Sequence, residues 1–177
     1  MNVFVSPKHK ILVLDNYARH KELKEELLDV LENYRDVQNR ETNVKATMTE
    51  WLIDSWEIKN LKCKILSHSN YLLWKNPNCE FIDFWGNIYR KGDYTEPHTH
   101  WLEHLSVVYF LKAKFYHAPL IFESIGLNKK IRPKEGRLVI FPSFLTHSVP
   151  IHKFDETRIT LAANLRATGG NRGYFPK

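Results

Sequence analysis

The chain contains 177 residues, of which 43% are hydrophobic and 13% aromatic, so it is long enough for one domain with a substantial buried core. The net charge of +6 permits a nucleic-acid partner, but no block of Lys and Arg supports one. No apolar run approaches the roughly 20 residues of a membrane helix, and residues 1–10 do not resemble a signal peptide, so we expect a soluble cytoplasmic protein with no membrane partner.

The first 75 residues are predicted to be mostly helical. The apolar run at residues 11–14 predicts a short strand, and leucines at helical spacing predict an amphipathic helix from Lys21 to Val37. Two more helices are predicted, from Thr47 to Leu61 and from Lys64 to Lys75, with their Trp and Leu side chains facing the core. We expect these elements to form a supporting layer outside a β structure rather than a second domain.

From Phe81 onward, short apolar segments alternate with turn residues, which is typical of an all-β barrel or sandwich. The predicted strands span residues 81–90, 105–111, 119–123, 137–141 and 158–165. Residues 166–177 are expected to form a tail. The whole chain, 1–177, is thus predicted to be a single domain in which residues 1–75 support a β core at 81–165.

A His-x-His motif ends the segment Gly92-Asp-Tyr-Thr-Glu-Pro-His98-Thr-His100. Side chains two residues apart on an extended chain point to the same side, so His98 and His100 can share one ion. Imidazole is a ligand for iron, zinc, copper and nickel. The motif therefore predicts half of a metal site, and Glu103 is a candidate additional or replacement ligand.

A third histidine follows an apolar strand and a proline-containing turn in Gly136-Arg-Leu-Val-Ile-Phe-Pro142-Ser-Phe-Leu-Thr-His147. A bend at Pro142 would bring the imidazole of His147 to the rim of a barrel rather than into its wall. We interpret His147 as the third ligand of the same metal site; a surface histidine after a turn is the alternative.

The last predicted strand places Arg158, Thr160, Ala162 and Asn164 on one face and apolar residues on the other. An unpaired guanidinium inside a barrel is costly, unless a carboxylate ligand arrives to form a bidentate pair with it. The hydroxyl of Thr160 could add a hydrogen bond to that carboxylate. The alternative is a partly exposed strand whose polar face lies in water.

The order of these residues, His98-x-His100, His147 and then Arg158, resembles that of the 2-oxoglutarate-dependent Fe(II) oxygenases. The resemblance covers residues 81–165 and is most specific to an oxygenase group of marine-bacterial phages and proteobacteria. It lies in the segments Pro97–His100, Leu105–Leu111, Gly136–Pro150 and Arg158–Asn164. It implies a double-stranded β-helix (jelly roll), the cofactors Fe(II) and 2-oxoglutarate, O2 as cosubstrate, hydroxylation of an unknown prime substrate, and the cytoplasm of a bacterium or phage-infected host.

The resemblance also implies a role for each site residue. His98, His100 and His147 would hold the iron, and Arg158 with Thr160 would bind the C5-carboxylate of 2-oxoglutarate. Further residues on neighbouring strands are candidates for lining the cosubstrate pocket: Asn87, Tyr89 and at most one of Ser106 and Tyr109, which lie on opposite faces of their strand. The superfamily has an acidic ligand where this chain has His100. The site is therefore expected to be a three-histidine site, unless Glu103 supplies the carboxylate.

Two alternatives remain open from the sequence. The same two histidine segments nearly reproduce the motifs of cupins, which share the double-stranded β-helix, so a cupin-type metal enzyme that does not use 2-oxoglutarate is the first. A non-catalytic metal- or ligand-binding barrel, such as a phage accessory protein, is the second. Arg158 favours the oxygenase, because the cupin motifs do not require it.

Overall fold

The structure is a computed structural model that describes residues 2–5, 10–35, 42–69, 72–73, 78–124 and 126–168. No helix in these ranges is long and apolar enough to cross a membrane. The described elements are, in chain order, β1 (Asn2–Val5), β2 (Lys10–Leu14), α1 (His20–Asn33), β3 (Val44–Lys45), β4 (Thr47–Met48), α2 (Trp56–Ser69), β5 (Asn78–Tyr89), β6 (Tyr94–His98), β7 (Leu105–Lys112), β8 (Leu120–Ser124), β9 (Leu127–Ile131), β10 (Leu138–Pro142), β11 (His147–Val149) and β12 (Arg158–Thr168).

The strands form two antiparallel sheets. One sheet has seven strands in the order β1-β2-β10-β7-β12-β5-β4, and the other has five in the order β3-β6-β11-β8-β9. In both sheets, strands that are distant in the sequence are therefore neighbours, such as β2 with β10 and β6 with β11. This arrangement confirms the predicted double-stranded β-helix with flanking helices.

The seven-stranded sheet separates two apolar cores. One core lies under the helices, where Leu23 of α1 and Ile58 of α2 pack with residues of β5, β7 and β12. The other lies between the sheets, where Phe110 and Phe141 of the larger sheet meet Phe122 of the smaller one. Burial of apolar side chains on both faces of the larger sheet is the main contribution that holds the three layers together.

Strand β12 shows how the alternation of the sequence serves both cores. Ile159, Leu161, Ala163 and Leu165 belong to the core under the helices. The intervening residues Arg158, Thr160, Ala162 and Asn164 line the cleft between the sheets. The period-two prediction for this strand is confirmed, and it places four side chains where a ligand can reach them.

Helix α1 is shorter than its predicted range, Lys21 to Val37. It ends at Asn33 because Tyr34 has an extended backbone conformation, with φ −60° and ψ 134°. The guanidinium of Arg90 donates to the carbonyl oxygens of Glu32 and Tyr34, which satisfies acceptors at this helix end. Residues 36 and 37 of the prediction lie outside the described residues.

The predicted division into two helices, Thr47 to Leu61 and Lys64 to Lys75, is wrong; residues 70, 71, 74 and 75 of the second one lie outside the described residues. Thr47 and Met48 form β4, which pairs with β5, and a single helix runs from Trp56 to Ser69. It starts there because the hydroxyl of Ser55 accepts the backbone N–H of Ile58, an N-cap. The prediction that the tryptophans and leucines of this segment face the core is also wrong for Trp51, Leu52 and Trp56, which are exposed.

Several short strands were not predicted from the sequence. Strands β6 and β9 contain Pro97 or paired lysines, which obscures the alternation, and β11 has three residues. The first 75 residues also contribute strands β1 to β4 to the two sheets, so this part of the chain is more than the mostly helical support that the sequence predicted. The predicted tail at 166–177 begins later, because β12 continues to Thr168 opposite Asn78; residues 169–177 lie outside the described ranges.

Candidate metal centre

His98 and His147 face each other across two paired strands. His98 ends β6, His147 begins β11, and the two residues are direct partners in the antiparallel register. Their ring centroids lie 4.3 Å apart. His147 also pairs with Phe122 of β8, so it lies within the wall of the smaller sheet and not at a rim, contrary to the expectation from Pro142. The sheet itself therefore fixes the separation of these two imidazoles.

His100 completes the group from the segment that follows β6. Its ring centroid lies 4.9 Å from that of His98 and 5.4 Å from that of His147. One ring nitrogen from each of the three residues falls within a set whose members lie within 4.8 Å of one another. The structure thus brings the three predicted ligands together at the inner surface of the cleft.

Backbone carbonyl groups set the orientation of two of the three rings. Nδ1 of His98 lies 2.8 Å from the carbonyl oxygen of Glu96, and Nδ1 of His147 lies 2.9 Å from that of Leu145. A carbonyl oxygen can only accept, so Nδ1 carries the proton in both rings and Nε2 keeps a free lone pair. A hydrogen bond from the other ring nitrogen is the usual way in which proteins orient a metal-binding histidine.

The surroundings keep these histidines neutral. Burial lowers the pKa of His98. Burial also lowers the pKa of His100 to about 4 and that of His147 to about 3, and for these two residues repulsion from the neighbouring histidines adds to the effect. At neutral pH all three rings are therefore unprotonated at one nitrogen. Three neutral imidazoles aimed at one point fit a transition-metal ion such as iron.

Glu103 and His104 point elsewhere. The carboxylate of Glu103 forms a two-pronged ion pair with Arg166, with N–O distances of 2.7 and 3.2 Å. Nδ1 of His104 accepts the backbone N–H of Ala167. The group of possible metal ligands found among the described residues contains the three histidines without Glu103. This geometry favours the three-histidine alternative over the one in which Glu103 supplies a carboxylate.

Arg158 lies inside the barrel with unusual surroundings for a cation. Its side chain is 1% exposed, and its guanidinium carbon lies 4.6 Å from the ring centre of Tyr89 and 5.1 Å from that of Phe110. Its Nε and Nη1 have no hydrogen-bond partner among the described residues. Burial lowers the pKa of Arg158, yet arginine stays charged in proteins. A buried guanidinium with unused donors is well suited to receive a carboxylate.

The other predicted pocket residues lie around Arg158. Thr160 is buried two residues further along the same face of β12, and both residues line the cleft. The hydroxyl of Tyr89 hydrogen-bonds that of Thr95 at 2.7 Å, which holds the Tyr89 ring against the guanidinium. The Oδ1 of Asn87 accepts the indole N–H of Trp85 at 2.9 Å. Asn87 and Tyr89 both line the cleft, and their role toward a cosubstrate stays a prediction.

Ser106 and Tyr109 separate as their strand requires. Ser106 lines the cleft, whereas the hydroxyl of Tyr109 lies 2.6 Å from Nδ1 of His20, on the helix side of the sheet. Phe110, which packs on Arg158, was missed as a site residue. The alternation of β7 could have identified it, since Ser106, Val108 and Phe110 share a face.

Fold and site together define a double-stranded β-helix in which three clustered histidines and a buried arginine line one cleft. Residues 123–164 match the family model described as 2OG-Fe(II) oxygenase. The matched segment includes His147, Arg158 and Thr160 but not the His-x-His motif. The match confirms the class predicted from the sequence, an oxidoreductase that uses Fe(II), 2-oxoglutarate and O2.

Solved structures with the same fold come from several organisms. A collagen prolyl hydroxylase of Paramecium bursaria Chlorella virus-1, in complex with 2OG, is 16% identical over 89% of this chain and 96% of its own, with a TM-score of 0.65. A Pseudomonas putida prolyl-4-hydroxylase is 14% identical over 91% and 94%, with a TM-score of 0.67. A Trichoplax adhaerens prolyl hydroxylase bound to a peptide fragment is 17% identical over 89% and 83%, with a TM-score of 0.68. A search of curated proteins gave no match.

Proposed function

We propose that this protein is an Fe(II)- and 2-oxoglutarate-dependent hydroxylase in which His98, His100 and His147 hold the iron and Arg158 receives the C5-carboxylate of 2-oxoglutarate. The observation that carries the proposal is the buried guanidinium of Arg158, whose Nε and Nη1 lack partners in the described structure, in the same cleft as the three histidines. A structural role alone would leave this charge unpaired at a high free-energy cost. A carboxylate ligand removes that cost.

Iron with 2-oxoglutarate, when bound, supplies the oxidising chemistry by which O2 hydroxylates a C–H bond. The protein's own residues bind and orient the reactants. His98 and His147 present Nε2 because their Nδ1–H groups are held by backbone carbonyls. Arg158 and the hydroxyl of Thr160 fix the far end of the cosubstrate, and the rings of Tyr89 and Phe110 exclude water from that ion pair.

The three-histidine ligand set distinguishes this centre from the acidic pattern of the superfamily. A neutral ligand set leaves the metal ion with its full charge of two, where one carboxylate would reduce that charge. A more positive ion would attract the negatively charged 2-oxoglutarate more strongly, because opposite charges attract more in a buried site. We therefore expect the histidine at position 100, where the superfamily has an acidic residue, to strengthen the binding of 2-oxoglutarate.

A cupin-type metal enzyme that does not use 2-oxoglutarate is the second candidate. The three-histidine ligand set favours this candidate, since a cupin-type metal site needs no carboxylate ligand. The burial of Arg158 beside Tyr89 and Phe110 disfavours it, because the cupin motifs do not require an arginine there. A non-catalytic barrel would share the same metal site, so turnover separates it from both enzymes.

A prolyl residue within a peptide is the prime substrate that we propose to test first. Three solved structures with this fold are named as prolyl hydroxylases, and one of them holds a peptide fragment. In this chain, Trp101 and Leu102 follow the ligand His100 directly and are exposed. Exposed aromatic and apolar side chains beside a metal centre suit an apolar ring on an extended peptide better than a highly charged metabolite.

Two measurements test the proposed cofactor use. Anaerobic addition of Fe(II) and 2-oxoglutarate should give a weak visible charge-transfer band, and in air the protein should convert 2-oxoglutarate to succinate. Arg158→Ala should remove the band and retain the metal. Arg137→Ala is the control, because Arg137 pairs with Asp15 away from the cleft. Metal binding without a band would support the cupin-type alternative, and failure to bind Fe(II), Mn(II), Co(II) or Ni(II) would contradict every metal-site proposal.

A further inference from the structure

A series of hydrogen-bonded polar side chains lies further along β12 than Arg158, around Asn164. It starts at Asp83 on β5, whose Oδ1 accepts the backbone N–H of Asn164 at 2.7 Å and whose Oδ2 accepts the side-chain amide N–H of Asn164 at 3.0 Å. Asp83 is therefore bonded twice to one residue of β12. The two contacts fix the amide of Asn164 with its Oδ1 directed away from the carboxylate.

A β-bulge makes this double contact possible. Asn164 is opposite Asp83 in the register, but the next residue, Leu165, is opposite Phe81, so β5 has one extra residue at this point. Bulges re-aim side chains and interrupt the ladder of backbone hydrogen bonds. Here the carboxylate of Asp83 takes the place of a backbone acceptor for the N–H of Asn164. Burial raises the pKa of Asp83, while its hydrogen bonds with Asn164 act in the opposite direction.

Two buried serines continue this hydrogen-bonded series toward the three histidines. Oγ of Ser106 lies 2.8 Å from Oδ1 of Asn164 and 3.0 Å from Oγ of Ser143. Ser106 is the donor toward both acceptors, Oδ1 of Asn164 and Oγ of Ser143, so its single hydroxyl proton links the two residues. Asp83 fixes the amide to which Ser106 donates, and both serines are buried.

The hydrogen-bonded series ends at residues whose backbone groups hold the segment from His100 to His104. The carbonyl oxygen of Ser143 accepts the backbone N–H of His100 at 2.8 Å, and the carbonyl oxygen of His104 accepts the N–H of Ser143 at 3.1 Å. The carbonyl oxygen of Leu165, next to Asn164, accepts the N–H of His104 at 2.9 Å. The residues that bond the two ends of this segment are therefore Ser143, which belongs to the hydrogen-bonded series, and Leu165, which is next to Asn164.

His100 needs this support more than the other two ligands do. Carbonyl groups orient the rings of His98 and His147, whereas no hydrogen bond to a described residue orients the ring of His100. His100 also lies beyond the end of β6, so no strand pairing fixes it. Its position depends on the backbone of its own segment.

We infer that Asp83, Asn164, Ser106 and Ser143 form a positioning relay that holds His100 in place as the third metal ligand. The inference rests on the proposed function, since it presupposes a metal at the three histidines. Removal of hydrogen-bond partners behind metal ligands typically costs about 10- to 100-fold in metal affinity. We expect a loss in that range for variants of the relay.

The test compares metal binding in the full chain and in four variants by calorimetric titration with Ni(II) and by the visible spectrum of the Co(II)-loaded protein. Ser106→Ala and Asp83→Ala interrupt the relay at two places, and Ser106→Thr keeps the hydroxyl. Ser69→Ala is the matched control, because Ser69 is a buried serine whose hydroxyl bonds Ile65 within α2. Thermal unfolding of each metal-free variant shows whether it is folded.

The relay predicts weaker Ni(II) binding and an altered Co(II) spectrum for Ser106→Ala and Asp83→Ala, near-normal values for Ser106→Thr, and normal values for Ser69→Ala. Should Ser106→Ala fail to fold, the more exposed Asp83→Ala variant decides the question. Wild-type affinity and spectrum in both relay variants would overturn the inference while the proposed function stands. Wild-type protein that binds no metal would overturn the proposed function, and the inference with it.

Discussion

The guanidinium carbon of Arg158 lies 4.6 Å from the centre of the Tyr89 ring, in the interior of the barrel. The ring face attracts the cation, but it cannot satisfy the N–H donors at Nε and Nη1. The hydroxyl of Tyr89, which also bonds Thr95, favours the charged form of the guanidinium but leaves Nε and Nη1 without a partner among the described residues. The unpaired donors lower the stability of the ligand-free protein, and a negatively charged ligand would remove that cost.

The first prediction follows from that cost. Arg158→Met should raise the stability of the ligand-free protein by about 1–4 kcal/mol, because it replaces a buried, poorly paired charge with an apolar side chain of similar length. Saturating Mn(II) and 2-oxoglutarate should raise the melting temperature of the wild type further and leave that of the variant close to its value with Mn(II) alone. Differential scanning calorimetry measures both effects.

The matched control is Arg137→Met, which should lower the stability. Arg137 bonds both carboxylate oxygens of Asp15, at 2.6 and 2.9 Å, so its removal leaves Asp15 without its main partner. An Arg158→Met protein that is less stable than the wild type without ligands would show that Arg158 already has adequate partners.

The second prediction concerns the ligand that departs from the superfamily pattern. His100→Asp should produce a two-histidine, one-carboxylate centre, and carboxylate suits Mn(II) whereas imidazole suits Ni(II). The ratio of Mn(II) to Ni(II) affinity should therefore rise by about tenfold, equivalent to about 1.4 kcal/mol. Calorimetric titration with each ion measures the ratio. His104→Asp, at a neighbouring histidine whose ring bonds Ala167, should leave the ratio unchanged.

The third prediction tests the alternative ligand. Glu103→Gln should leave metal affinity within about twofold of the wild type, because the Glu103 carboxylate is occupied by Arg166 and lies outside the histidine group. His98→Gln should abolish high-affinity binding under the same conditions. A Glu103→Gln protein that loses the metal as completely as His98→Gln would assign Glu103 as a ligand. The pair therefore decides between the two arrangements that the sequence left open.

Much of the site could be predicted because strands impose a period of two. That period placed Arg158 and Thr160 on one face of β12, and it required Ser106 and Tyr109 to diverge on β7. The relay behind His100 could not be predicted in the same way. It depends on a one-residue bulge opposite Asn164, and nothing in the residues around Asp83 indicates where the register of two distant strands will slip.

The helical part was predicted less well for a related reason. Helical spacing in residues 47–55 is coincidental: pairing of Thr47 and Met48 with β5 overrides it, and the cap at Ser55 sets the true start of α2. Trp51 is exposed in part and packs on Trp85 of the cleft, with ring centroids 5.0 Å apart. A pattern of apolar residues cannot distinguish a side chain that faces the core from one that covers another aromatic ring near a site.

The last prediction is a pH dependence that arises away from the metal ligands. His117 is buried beside His152 and Phe154, with ring centroids at 4.8 and 5.8 Å. Burial, with the nearby His152, lowers the pKa of His117 from its ordinary value of 6.5 to about 4, although Glu156 acts in the opposite direction. Between these two pH values the unfolded chain binds a proton at this residue that the folded protein does not.

Because the folded pKa lies below the unfolded one, this histidine makes stability fall as the pH drops from about 6.5 to about 4, by up to about 1.4 kcal/mol per pH unit for one proton. Urea unfolding of the metal-free protein at pH 7 and pH 5 should therefore show a larger loss of stability in the wild type than in His117→Phe. The comparison removes the contributions of groups that do not interact with His117, because both proteins share them. Equal losses in the two proteins would show that the folded and the unfolded protein bind the proton at His117 equally well, which would contradict the lowered pKa.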